Sequence, residues 1–185
     1  RIVMLLTAAA LAGWTGWPES PVAGALLVAA GLAGFARLVR WRGPRTITAP
    51  LGWSLHLGFA WLPAGLLLTG LAPLAGLPPA AGMHALGAGA IGAMKLAVMT
   101  RASLGHSGRP LVADRATTTI YALVHAAALL RVAAAFAEAA TLPLLWASAA
   151  AWIAAFALFA LHYGPLLLPR KRMVTKPETP SAGRR

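Results

Sequence analysis

Apolar residues along this chain come in long unbroken blocks, with polar and charged positions gathered between them. A span needs about 20 mostly apolar residues to cross about 30 Å of hydrocarbon. Six blocks qualify, over residues 2–17, 21–40, 50–72, 80–101, 116–138 and 142–168. None alternates with a period of two. Because lipid offers the backbone no hydrogen-bond partners, the pattern predicts an all-α integral membrane protein with six transmembrane helices. Helix breakers fall between the blocks: Pro18 and Pro21, Gly43 and Pro44, then Pro73, Pro78 and Pro79. Pro143 opens the last block, where a first helical turn tolerates it. Pro63, inside the third block, is expected to kink it.

The basic residues are unevenly shared among the connections. Arg40, Arg42 and Arg45 follow the second block, and Arg101, Arg109 and Arg115 follow the fourth. Arg170, Lys171, Arg172, Lys176, Arg184 and Arg185 follow the sixth. The alternate connections carry Glu19 and Glu138 and no Lys or Arg. The positive-inside rule therefore places both termini in the cytoplasm, with Trp14, Trp17 and Trp146 as outer and Trp41 and Trp53 as inner interfacial anchors. The apolar block behind Arg1 resembles a secretory signal in outline, but the second block follows within a few residues and continues the same pattern. Residues 170–185 are basic, contain proline and lack an apolar face, so they read as a disordered cytoplasmic tail near anionic headgroups.

Composition narrows the function. The chain has 185 residues, 59% hydrophobic and 11% charged, against roughly 25% charged in a soluble domain. A soluble enzyme is excluded. A net charge of +12 would suggest nucleic acid in a soluble protein; here it marks topology, and no nucleic-acid partner is expected. With no cysteine, disulfides, thiolate zinc sites and iron–sulfur clusters are ruled out, which leaves His, Met, carboxylate or backbone to hold any metal. Four carboxylates give paired-carboxylate catalysis little material, and no phosphate loop, nucleophile elbow or zinc-hydrolase spacing occurs.

Ionisable groups inside a bilayer are costly and are default functional candidates. Here they are His56, His84, Lys95, His125, Arg131 and His162. In the fourth block Ala81, Ala85, Gly89, Ala93 and Ala97 form a small-residue ridge suited to close helix contact. Beside it, His84, Ala88, Ile91 and Lys95 share one face of an α-helix, expected to look into the bundle. Lys95 either snorkels to water or acts as a counter-charge, and His84 is either a hydrogen-bonded packing group or a ligand. Arg131 either reaches Glu138 or the outer interface, or meets an anion such as a cofactor carboxylate. His125 has Tyr121, or a carbonyl one turn away, as its expected partner. His56 and His162 share an inner depth that lets them ligate one iron, whereas His84 stands roughly 15 Å away in height at 1.5 Å per residue. The stretch Met99–Leu111 reads as a loop in which Gly105, Gly108, Arg101 and Arg109 cradle an anion or touch lipid headgroups.

One stretch is more specific. His84 to Leu111, HALGAGAIGAMKLAVMTRASLGHSGRPL, resembles the signature of the NnrS family. Leu55–Leu62, Tyr121-Ala122-Leu123, Ala128–Arg131 and Tyr163-Gly164-Pro165-Leu166 extend the likeness over about residues 50–170. The resemblance implies a haem- and copper-containing protein of the bacterial inner membrane, tied to the nitric oxide response, nitrosative stress and denitrification. It further implies that this sequence corresponds to the C-terminal half of a longer chain, whose N-terminal half would be a partner. Carried over residue by residue, the cofactor candidates are His56, His84 and His106, with Arg101, Arg109 and Arg131 as anion partners and His56 and His84 as metal ligands. Met83, Met94 and Met99 are further copper candidates, although apolar packing suits them better. The rival readings are half of a transporter or channel with His84, Lys95 and Arg131 lining a path, and a membrane cytochrome passing electrons to quinone.

Overall fold

The computed structural model describes residues 1–41 and 49–168, and all regular structure among them is helical. Helix α1 is Ile2–Gly16, α2 Pro21–Arg40 and α3 Pro50–Ala75. Helix α4 runs Pro79–His106, α5 Arg115–Ala134 and α6 Thr141–Leu167. Five of them, α2 to α6, are long and apolar enough to cross a membrane. The first expected span differs: α1 has 15 residues, about 22 Å of helix, less than the hydrocarbon thickness. Arg42, Arg45 and the basic tail of residues 170–185 lie outside the described residues.

Local chemistry accounts for the helix ends. Proline sits in the first turns of α2, α3 and α4, where its missing N–H would have no partner anyway. Ser20 caps α2 and Asp114 caps α5 through the N–H groups three residues on. Helix α5 stops at Ala134, short of the expected 138. There Thr141 Oγ donates to the carbonyls of Ala134 at 3.2 Å and Ala137 at 2.8 Å, satisfying acceptors that the helix has released.

Helices α2 and α3 form one closely packed pair and α5 and α6 another, with α4 against α3 and α5 between them. The first pair touches backbone to backbone. A Cβ on Gly24 would lie 2.8 Å from the Gly70 carbonyl oxygen, and one on Gly70 2.5 Å from that of Gly24. Gly24→Val should therefore cost about 1–3 kcal/mol of stability by overpacking, measured by unfolding in mixed detergent micelles. Wild-type stability in that variant would show that the two backbones are not in contact.

The ridge on α4 is buried as expected, with Ala81, Ala85, Ala93 and Ala97 all fully enclosed. Much of the outer surface is apolar, for example Val22, Ile153 and Leu161, as a lipid-facing bundle requires. Trp17 and Trp146 are exposed, but Trp53 is not an interfacial anchor. Its ring turns inward, 6.0 Å from Tyr121 and 5.9 Å from His125.

Helix α4 departs from α geometry in its middle. Ala85–Ala93 is a π-helix, whose i→i+5 bonding turns less per residue than an α-helix and which occurs most often at functional sites. Three of its nine residues are glycine. A Cβ at Gly89 would enter the Trp61 indole, and one at Gly92 the Trp152 ring. The segment therefore lies flat between two indoles, one from α3 and one from α6.

Candidate functional site

The π segment separates two residues that ideal α geometry places together. His84 precedes it and Lys95 follows it, so the wider winding carries Lys95 round to another side. His84 opens onto the α5–α6 side. Lys95 is exposed in an apolar cleft of about 490 Å³ beside Gly58, Phe59 and Leu62 of α3. The expected shared face of His84, Ala88, Ile91 and Lys95 is overturned, and Ile91 also faces outward.

On its own side His84 meets Arg131. Both line a pocket of about 370 Å³, together with Gly87, Ala88, Ser148, Ala149, Trp152 and Ile153. Each wall has a local cause. The π segment supplies Gly87 and Ala88, which leave space. Trp152 lies close against Gly92, where a Cβ would run into its ring. The Ser148 hydroxyl donates to the Ala127 carbonyl at 2.8 Å and ties α6 to α5 beside the opening. Arg131 lies in the last turn of α5, where a cation also complements the helix dipole. The expected Arg131–Glu138 pair does not form; among the described residues the one basic side chain within reach of a carboxylate is His162, at Asp114.

The other histidines are dispersed. His56 Nδ1 lies 3.0 Å from the Gly52 carbonyl, so this nitrogen donates and Nε2 keeps its lone pair, a tautomer suited to ligation. Its ring meets Trp41 edge-on at 6.0 Å. His162 Nε2 instead pairs with Asp114 at 2.9 Å, and α3 and α6 are not packed neighbours. His56 and His162 do not form the expected pair on one iron. Among the described residues no three His, Asp or Glu side chains gather where they could hold a metal.

The stretch 99–111 is not the loop expected from its sequence. Helix α4 continues to His106 and ends in a Schellman motif: the Arg109 N–H donates to the Leu104 carbonyl at 3.0 Å and the Gly108 N–H to Gly105 at 3.2 Å. Gly108 provides the left-handed turn at φ +69°. The amides that would cradle an anion close the helix instead, and a helix C-terminus repels negative charge. His106 is exposed at this end and Arg101 half-buried on the helix. Arg109 lines a separate pocket of about 220 Å³ with Asp114, Thr117, His162 and Tyr163.

That pocket is a hydrogen-bonded clamp. Asp114 accepts from the backbone N–H and the hydroxyl of Thr117, both at 2.8 Å, and the Thr117 hydroxyl also meets Tyr163 at 2.6 Å. Burial pushes the Asp114 pKa upward, but the Thr117 hydrogen bonds and the His162 imidazole outweigh it and leave it below the ordinary value. A carboxylate depressed in the folded state contributes stability above its unfolded pKa of about 4 and loses it as pH falls through the folded value. Asp114→Ala should cost about 1 kcal/mol as a lost N-cap. The difference from wild type should shrink below about pH 4. A pH-independent difference in unfolding free energy would contradict this account of the clamp.

One buried group stands apart from what the sequence suggested. His125 bonds neither Tyr121, whose hydroxyl pairs with Thr100, nor a carbonyl. It accepts at Nδ1 from Trp61 Nε1 at 3.1 Å. The signal lay in the two tryptophans of α3, of which the sequence assigned a role only to Trp53, as an interfacial anchor.

No curated protein and no solved structure matches this chain. The NnrS protein family matches over residues 1–171, a range that takes in α1 and α2 as well as the stretch where the sequence likeness was read. The chain belongs to the NnrS protein family.

Proposed function

We propose that this protein serves the response to nitric oxide and that the His84–Arg131 pocket binds haem. The observation that carries the reading is the convergence of an imidazole from α4 and a guanidinium from α5 in one pocket. Haem is a flat apolar dianion, and the donor set fits it. His84 would give an imidazole nitrogen to the iron, and Arg131 would take a propionate in a charge-assisted hydrogen bond. Gly87, Ala88 and Ala149 leave room beside the flat Trp152 ring. When bound, haem iron supplies a position where a diatomic gas can coordinate. The chain's own part is to hold and orient that group, to neutralise its carboxylate and to exclude water with Trp152 and Ile153.

His56 is the second candidate ligand, because its bond to Gly52 leaves Nε2 free to coordinate. Copper is assigned no residues, since no three His, Asp or Glu side chains gather among the described residues. By the positive-inside rule the basic segment after α4 and the C-terminal end are cytoplasmic, which puts the His84 pocket in the outer half of a bacterial inner membrane.

The test is an absorption spectrum and metal analysis of the protein purified from haem-replete cells, with and without nitric oxide. A Soret band that shifts on adding the gas is expected. A colourless, metal-free protein that moves a solute in liposomes would replace this reading with a transporter. A Soret band reduced by quinol and indifferent to nitric oxide would replace it with a cytochrome.

A further inference from the structure

His125 is 4% exposed, and its imidazole sits among two indoles of α3. An indole nitrogen only donates, so the bond from Trp61 requires a lone pair on His125 Nδ1. The neutral ring therefore carries its proton on Nε2. That N–H is buried and has no partner among the described residues. Buried donors are nearly always paired, with protein or with ordered water. The same tautomer removes Nε2 from the possible metal ligands, because a protonated nitrogen has no lone pair to give.

A second orphan lies on the neighbouring helix. Ser54 Oγ is fully buried and also without a partner. Ser54 is seven residues from Trp61, two turns along the same face of α3. It adjoins Trp53, whose ring is 5.9 Å from that of His125. A fixed donor and a hydroxyl able to give or accept are thus both buried, with Ser54 on the side of α3 that carries Trp61 to His125. A buried water needs two to four polar partners.

We propose that the two groups bind one water molecule, which accepts from His125 Nε2–H and bonds to the Ser54 hydroxyl, so that His125 is a water-binding histidine. The site stands independently of the haem reading. The test is ¹⁵N NMR of the histidine-labelled protein in lipid nanodiscs, with the His125 signals assigned through His125→Gln. The expected result is a proton on Nε2, a lone pair on Nδ1, and magnetisation transfer between Nε2–H and a long-lived water. Ser54→Ala should lose that transfer while the Trp61 indole N–H resonance stays in place. A proton on Nδ1, a metal-shifted Nε2, no contact with water, or transfer unchanged in Ser54→Ala would each overturn the proposal. If Ser54→Ala does not fold, the wild-type tautomer and water contact still decide it.

Discussion

Gly89→Leu is expected to lose about 3 kcal/mol of stability or more, enough to unfold much of the protein at moderate temperature. Overpacking a filled interior typically costs about 1–3 kcal/mol. Here the added carbons would enter the indole of Trp61, which is held by its bond to His125. Moving the ring aside would leave two buried polar nitrogens unpaired, at about 1–3 kcal/mol more. Gly87→Ala is the control, because a Cβ there meets nothing within 4 Å. Its stability should match wild type or exceed it by up to about 1 kcal/mol through helix propensity. Unfolding followed by tryptophan fluorescence in mixed micelles reads both. Equal losses at 87 and 89 would place the penalty in the π winding itself and not in Trp61.

Span-scale architecture was legible because it rests on block length and on proline and glycine at the breaks. The ridge Ala81-Ala85-Gly89-Ala93-Ala97 was legible for a related reason: small residues every four positions stay on one side in either winding. The face carrying His84 and Lys95 was not, since its phase depends on how many residues fill a turn. Nothing in the run ALGAGAIGA declares π bonding. Trp61 and Trp152 lie close against Gly89 and Gly92, contacts made by other helices that the run itself does not announce. Gly105 and Gly108 misled in a simpler way. One lies inside α4 and the other ends it, so the glycines marked a helix stop and not an anion cradle.

For the site, the sequence named both members of the pocket. His84 and Arg131 were candidates as charged or coordinating groups in apolar surroundings, but their meeting is a tertiary fact. It depends on α4 and α5 packing side by side, which neither span encodes alone. His56 and His162 were paired on depth alone, and depth does not determine which helices are neighbours. The partner of His162 is Asp114 at the head of α5, a residue that nothing in the sequence singled out.

The proposed haem site rests on the convergence of His84 and Arg131 in one pocket. Its most direct test is haem retained per polypeptide, by pyridine haemochrome, in wild type, His84→Ala, Arg131→Gln and His56→Ala, with circular dichroism to confirm folding. Losing the ligand imidazole should abolish retention in His84→Ala. Losing a charge-assisted hydrogen bond, worth about 1.5–3 kcal/mol, should weaken haem affinity about 10- to 150-fold in Arg131→Gln. His56→Ala should keep its haem. Folded His84→Ala with wild-type haem content and an unchanged spectrum would contradict the account.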